Sequence, residues 1–195
     1  MAHPNEQPLS ARLRALPENR PMSISDLAGE LGTRAHGLAL LVLALPEALP
    51  LPLPSIAAIL GLPLAAISFH LMLHGENGGL PVSLGRYPLP PRLVNIARTR
   101  LADLAARGER LSRPRWTSIV KHDRAVGGLC LLLSVILLLP FPLFNVPPAI
   151  CLALQAWGLV QRDGVFVAIG MAGAILVLAS MFLGLSGFAL WLGRA

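Results

Sequence analysis

The chain has 195 residues, of which 54% are apolar and 13% charged, with a net charge of +6 and a mean hydropathy of +0.65. This composition lies outside the soluble range, and with no charged side chain from 125 to 161 it excludes a soluble helical domain, whose long helices need polar faces. The basic excess carries no nucleic-acid motif and is flanked by apolar segments, which excludes a nucleic-acid partner. Residues 1–33 mix Arg12, Arg14 and Arg20 with Glu6, Glu18, Asp26 and Glu30 around no apolar core, so no cleavable signal peptide is expected. Up to about residue 22 the chain reads as a mobile cytoplasmic tail. A short helix then starts behind Ser23, an N-cap with Asp26 as its capping-box partner, and ends at Gly32.

Two apolar stretches follow, Gly37 to Leu73 and Ala125 to Gln161, each 37 residues long and each broken in its middle by prolines. A straight helix of that length would run about 55 Å, against about 30 Å for a bilayer's hydrocarbon core. Each stretch is therefore expected to form two shorter helices, as a hairpin or a re-entrant unit, around Pro46, Pro50 and Pro52 in the first (34–75) and Pro140 and Pro142 in the second (124–163). Offset by 90 residues, Arg34, Ala35 and Gly37 meet Arg124, Ala125 and Gly127, and Pro50, Pro52 and Leu53 meet Pro140, Pro142 and Leu143. This is an internal repeat, parallel if both units are full hairpins and inverted if each is a half-helix followed by a span. Inversion is the arrangement favoured.

Between the units, residues 76–123 form a basic segment: 76 to 124 hold ten Lys/Arg against four acids, which predicts a cytoplasmic location. Within it, Pro91 to Leu111 predicts an amphipathic helix with Leu93, Ala97, Leu101, Leu104, Ala105 and Leu111 on one arc. Arg98, Arg107 and Arg110 beside this arc are candidate contacts for anionic lipid headgroups, and packing on a neighbouring protein surface is the alternative. Residues 164–195 carry a 30-residue uncharged run, Gly164 to Gly193, which predicts a C-terminal transmembrane helix. Gly164, Ala168 and Ala172, with Gly170 and Ala174, form small-residue ridges for close packing within the chain or across a homodimer. The expected architecture is an all-α, multi-pass integral membrane protein.

The arrangement resembles the ExoD family of bacterial exopolysaccharide-synthesis membrane proteins. The residues that carry the likeness are Gly37 to Leu64, with Leu45-Pro46-Glu47-Ala48-Leu49-Pro50-Leu51-Pro52, the break Leu139-Pro140-Phe141-Pro142-Leu143-Phe144-Asn145, and Gln161-Arg162-Asp163-Gly164. The likeness spans about residues 25 to 192. It implies a role in exopolysaccharide production or export at the bacterial inner membrane and supplies no mechanism.

Glu47 is the only ionisable residue between Gly37 and Phe69, and a carboxylate at membrane depth marks a functional position. With Asn145, Pro46, Pro50, Pro52, Pro140 and Pro142 it outlines a substrate or ion pathway; a hydrated Glu47 among headgroups and a capping Asn145 are the plainer readings. Arg162 and Asp163 mark an interfacial turn or a gate pair. His70 and His74 share a helical face, but without a His-Glu-x-x-His motif they read as interfacial side chains, not metal ligands. Cys130 and Cys151 read as small apolar-facing residues. No metal, cofactor or catalytic set is expected, so the chain reads as a small transporter or channel-like protein. The alternative is a non-transporting accessory or regulatory protein of the polysaccharide machinery, and membrane lipid, a second copy and that machinery are the expected partners.

Overall fold

The computed structural model describes residues 8–17, 22–48, 54–78, 80, 88–113, 115–139 and 145–193. Pro50, Pro52, Pro140 and Pro142 lie outside them; Pro46, Glu47 and Asn145 lie inside. The described chain is helical, apart from one antiparallel pair of two-residue strands, β1 (Met22–Ser23) and β2 (Pro88–Leu89).

Helix α1 (Leu9–Arg14) lies within the segment expected as a mobile tail, of which 1–7 and 18–21 lie outside the described residues. Leu9, Leu13 and Leu16 form an apolar stripe on one face, and all three are buried. Ser10 donates to Glu109 from both its backbone N–H and its hydroxyl, and Arg14 pairs with Asp103 at 2.8 Å. Helix α2 (Ile24–Leu31) starts at the anticipated capping box: Asp26 N–H donates to Ser23 Oγ, and Ser23 N–H donates to Asp26 Oδ2. Gly32, at φ 60°, ends it.

Four helices form the body: α3 (Ala35–Ala48), α4 (Pro54–His74), α8 (Asp123–Leu137) and α9 (Val146–Gln161). Helix α3 passes through Pro46, so the first interruption begins after Ala48; the proline removes only the donor that would reach the half-exposed Val42. Contacts fix the directions. His36 at the start of α3 meets His70 near the end of α4, and Cys130 of α8 meets Gln155 of α9. Gly37 abuts Ala156 and Val160, while Gly127 abuts Leu71 and Met72. Each helix is therefore antiparallel to two neighbours, in the closed order α3-α4-α8-α9. The helix ends that flank the two proline breaks, Ala48 and Pro54, Leu137 and Val146, lie at one end, here the apical end, and α8 runs in the same direction as α3. The inverted arrangement expected from the sequence is thus corrected: antiparallel neighbours on every side leave no place for an inverted unit.

Two glycines let the ring close. A Cβ on Gly37 would stand 2.9 Å from Val160 Cγ2 and 3.0 Å from the Ala156 carbonyl; on Gly127 it would stand 2.6 Å from Met72 N. These two are the pair matched by the 90-residue offset. Leu40, Leu64, Leu71, Leu133, Leu137 and Leu152 fill the interior with no exposed surface.

Helix α10 (Gly164–Leu192) folds back along α9, with Gly170 against Gln155 and Cys151 and Ala174 fully buried, so one predicted small-residue ridge is used within the chain. Among the described residues it is the one helix long and apolar enough to cross a membrane, and Ile169, Ile175, Leu176, Phe182 and Leu183 line its exposed face.

The amphipathic segment spans the predicted residues as α5 (Pro91–Ile96), a π-turn (Ala97–Leu101) and α6 (Ala102–Leu111). The extra residue in the π-turn shifts the phase of the stripe. Val94, Ala97, Ala102 and Ala105 face inward against α1, whereas Leu104, expected on that arc, is 54% exposed. A short helix α7 (Thr117–Val120) leads into α8.

Candidate functional site

Polar side chains gather inside the ring. His36 is fully buried on α3, with Nε2 3.2 Å from His70 Nδ1 on α4, and the His70 and His74 rings stack at 4.4 Å. Two residues before His70 on α4, Ser68 Oγ lies 3.4 Å from Ser134 Oγ of α8, and the Ser134 hydroxyl donates to the Cys130 carbonyl at 2.7 Å. The Cys130 thiol points to Gln155 Oε1, and the Gln155 amide donates to the Gly170 carbonyl, joining α8, α9 and α10. Ser68, Ser134 and Gln155 have no exposed surface. Such groups stay buried because each has a hydrogen-bond partner.

Towards the apical end, Glu47 is 9% exposed on the last turn of α3. Asn145 is equally buried, and its amide donates to the Leu137 carbonyl, so it closes the end of α8 and makes no side-chain cap for α9. The antiparallel register set by Gly37 and Ala156 carries Glu47 to the level of Val146, beside Asn145 in sequence. The two proposed pathway residues share one end of the ring.

The basal end, where α3 and α8 begin and α4 and α9 finish, holds a cleft of about 270 Å³ lined by Thr33, Glu76, Thr117, Lys121, Asp123 and Arg162. Gly75, at φ 69°, turns the chain out of α4 so that Glu76 N–H donates to Asp123 Oδ2 at 2.7 Å. Glu76 Oε1 is buried without a partner, and burial, then the Asp123 charge, lift this carboxyl to about 7 against the pull of Arg162 and Arg34. Burial, followed by the Arg12 and Arg162 charges, lowers the Arg34 pKa.

Arg162 and Asp163, expected to mark an interfacial turn or a gate pair, lie at the turn between α9 and α10 and bond different partners. Arg162, in a left-handed turn at φ 54°, donates to Thr33 Oγ1 at 3.1 Å and faces the cleft. Asp163 points the other way and is fully buried, accepting from Ser112 Oγ, Arg113 N–H, Arg115 and Val165 N–H. Burial alone would raise its pKa; these donors and the Arg115 charge outweigh it and set it below the ordinary aspartate value. Of the lipid candidates, Arg107 and Arg110 are exposed and Arg98 is half-buried.

Sequence reasoning missed His36, Ser68, Ser134 and Gln155. Ser134 and Gln155 are single polar residues inside apolar runs, whereas His36 and Ser68 lie near the ends of one, beside Arg34 and His70.

A closed antiparallel ring of four helices, with a few hydrogen-bonded polar groups among its buried leucines and one helix alongside that is long and apolar enough to cross a membrane, defines an all-helical bundle protein. A family model for exopolysaccharide synthesis, ExoD, matches residues 9–183, and the chain belongs to this family. It is similar to Protein ExoD of Rhizobium meliloti, at 28% identity over 184 residues, covering 86% of this chain and 71% of that protein. It is also similar to an uncharacterised protein of Synechocystis sp., at 25% identity over 148 residues, covering 74% of this chain and 69% of the relative. No solved structure matches it significantly.

Proposed function

We propose that the protein is a multi-pass inner-membrane component of exopolysaccharide synthesis or export, acting as a small transporter or channel-like body whose polar pathway runs through the four-helix ring. The observation that carries this reading is the polarity of the ring. Ser68, Ser134, Gln155 and His36 are fully buried, while Leu62, Phe69, Leu132, Val135 and Ile150 are 45% exposed or more. Exposed apolar side chains suit a hydrocarbon surround, and the few buried polar groups, set among the leucines of the interior, mark where a polar path would run. The matched glycines Gly37 and Gly127 at equivalent helix seams support a parallel internal repeat whose two breaks face the same side. The ten basic residues of 76 to 124 favour placing the basal end in the cytoplasm, which puts Glu47 and Asn145 towards the opposite face.

Glu47→Gln removes the one carboxylate at the apical end of the ring. Solute flux in proteoliposomes and exopolysaccharide output in cells are expected to fall about tenfold at unchanged protein abundance. Undiminished flux and output would remove Glu47 from the pathway.

A second reading, the non-transporting accessory protein, is favoured by one surface feature. Arg92, Ile96, Arg100, Leu104 and Arg107 follow one another at helical spacing along α5 and α6, and all are exposed. Alternating guanidinium and apolar groups suit anionic headgroups. Replacing Arg100, Arg107 and Arg110 by Gln separates the readings. Loss of output with normal flux supports the accessory role, and retained output supports the pathway.

A further inference from the structure

We propose that the basal cleft is a binding site for a phosphate monoester, with Arg162 and Lys121 holding the phosphate and Thr33, Thr117 and Glu76 meeting the hydroxyls of the esterified group. The cleft sits where the four ends of the two hairpins converge, so one ligand would touch both units at once. Thr33 precedes α3, Glu76 follows α4, Lys121 and Asp123 open α8, and Arg162 follows α9. The proposal goes beyond the transport reading and needs no flux.

Three observations carry it. First, cations are gathered: Arg12 and Arg162 both lie within electrostatic reach of Arg34, and Lys121 lines the cleft beside Arg162. Like charges brought together in a half-buried place oppose folding and favour a bound anion. Second, the carboxylates around the cations other than Glu76 already accept hydrogen bonds. Asp123 accepts the N–H groups of Glu76 and Arg124, Asp163 accepts from residues 112 to 115, and Glu109 accepts from Ser10. Third, donors remain. One of the five N–H groups of Arg162, which lines the cleft, goes to Thr33. A planar guanidinium fork matches phosphate oxygens better than any other side chain. The volume, about 270 Å³, lies at the small end of ligand pockets and suits one sugar-sized ester.

Glu76 makes the site pH-dependent. Asp123, Lys121 and Arg162 face it across the cleft, Arg34 lies behind, and the turn that carries it packs on His70 and His74. Below about pH 7 the neutral carboxyl donates to a phosphate or hydroxyl oxygen; above it the carboxylate repels the phosphate.

The test is calorimetric titration of the full chain in phosphatidylcholine nanodiscs with glucose 1-phosphate, with inorganic phosphate and glucose alongside. A second arm uses nanodiscs with phosphatidic acid added, read as protection of the cleft against lysine-directed labelling at Lys121. Binding of glucose 1-phosphate assigns the site to a soluble ester, and protection only by phosphatidic acid assigns it to a lipid headgroup; either supports the proposal. In the arm that binds, Arg162→Gln and Lys121→Gln should each weaken binding about tenfold with thermal unfolding unchanged. Because Arg162 also bonds Thr33, Lys121→Gln decides if Arg162→Gln fails to fold. Glu76→Gln should keep binding and abolish the weakening, about fivefold, between about pH 6 and about pH 8. No binding or protection by either phosphate probe, or binding unaltered in Lys121→Gln, overturns the site. Binding without any flux in proteoliposomes would sink the transport reading alone.

Discussion

Asp163→Asn is expected to lower the free energy of unfolding by about 3 kcal/mol, because the substitution puts a donor among donors. Oδ2 accepts from Ser112 Oγ at 3.0 Å, Arg113 N–H at 3.0 Å and Arg115 Nη2 at 3.4 Å, and Oδ1 accepts from Val165 N–H at 3.1 Å. Whichever way an asparagine amide is turned, its NH2 faces at least one of these groups in a place with no exposed surface. Two consequences follow in structure: the first turn of α10 loses its cap, and the segment before α7 loses its tie to the bundle. The sign of the pH dependence is fixed by the lowered pKa. The carboxylate's contribution is complete above the ordinary aspartate value and is lost as pH falls through the lower value of the folded state. Denaturant unfolding in detergent should therefore show an acid-side loss in the native chain that Asp163→Asn lacks. A variant within about 0.5 kcal/mol of the native chain would show that the 112–115 segment does not depend on this carboxylate.

Adjacent glycines should respond with opposite signs. Gly127→Ala places a methyl 2.6 Å from Met72 N and 2.9 Å from the Leu71 carbonyl carbon, both backbone atoms of α4, so the two helices must part along their seam. Overpacking of this kind costs about 1–3 kcal/mol, more than the helix propensity gained. Gly128→Ala meets only the Met72 thioether, at 3.5 Å, which is ordinary contact with the flexible part of a side chain. There the gain of up to about 1 kcal/mol in helix propensity stands alone. Thermal unfolding of both variants checks this, and equal shifts would mean that α4 and α8 can separate without strain. Gly37→Ala, against Val160 and the Ala156 carbonyl, is expected to follow Gly127→Ala.

The parts of this fold written in local chemistry were legible. The Ser23 and Asp26 capping box, the helical extent of 91–111 and the small-residue face of α10 all stand where side-chain spacing put them. What depended on distant neighbours was not. Leu9, Leu13 and Leu16 form a stripe too short to be told from chance until α5 and α6 cover it. Leu104 points outward because a π-turn adds a residue, and no composition announces such a turn. The direction of the second hairpin could not be taken from charge, since four Arg and four acids balance before residue 37. The same limit separated Arg162 from Asp163. Adjacency in sequence placed both at one location, whereas Thr33 and Ser112, far off in sequence, draw them to different partners.

The closed ring also sets an order of assembly. Helix α3 finds its second neighbour only in α9, about a hundred residues later, and Ser68 finds Ser134 only when α8 arrives. At a translation rate of about 5–20 residues per second, the first hairpin waits for seconds with a hydroxyl and a glycine seam uncovered. A nascent chain halted before α9 therefore presents a sticky half-ring, and a second such chain offers the same seam in the same direction. Premature pairing of two first hairpins is the mistake this topology invites, and holding factors at the ribosome exit would be needed most in that interval.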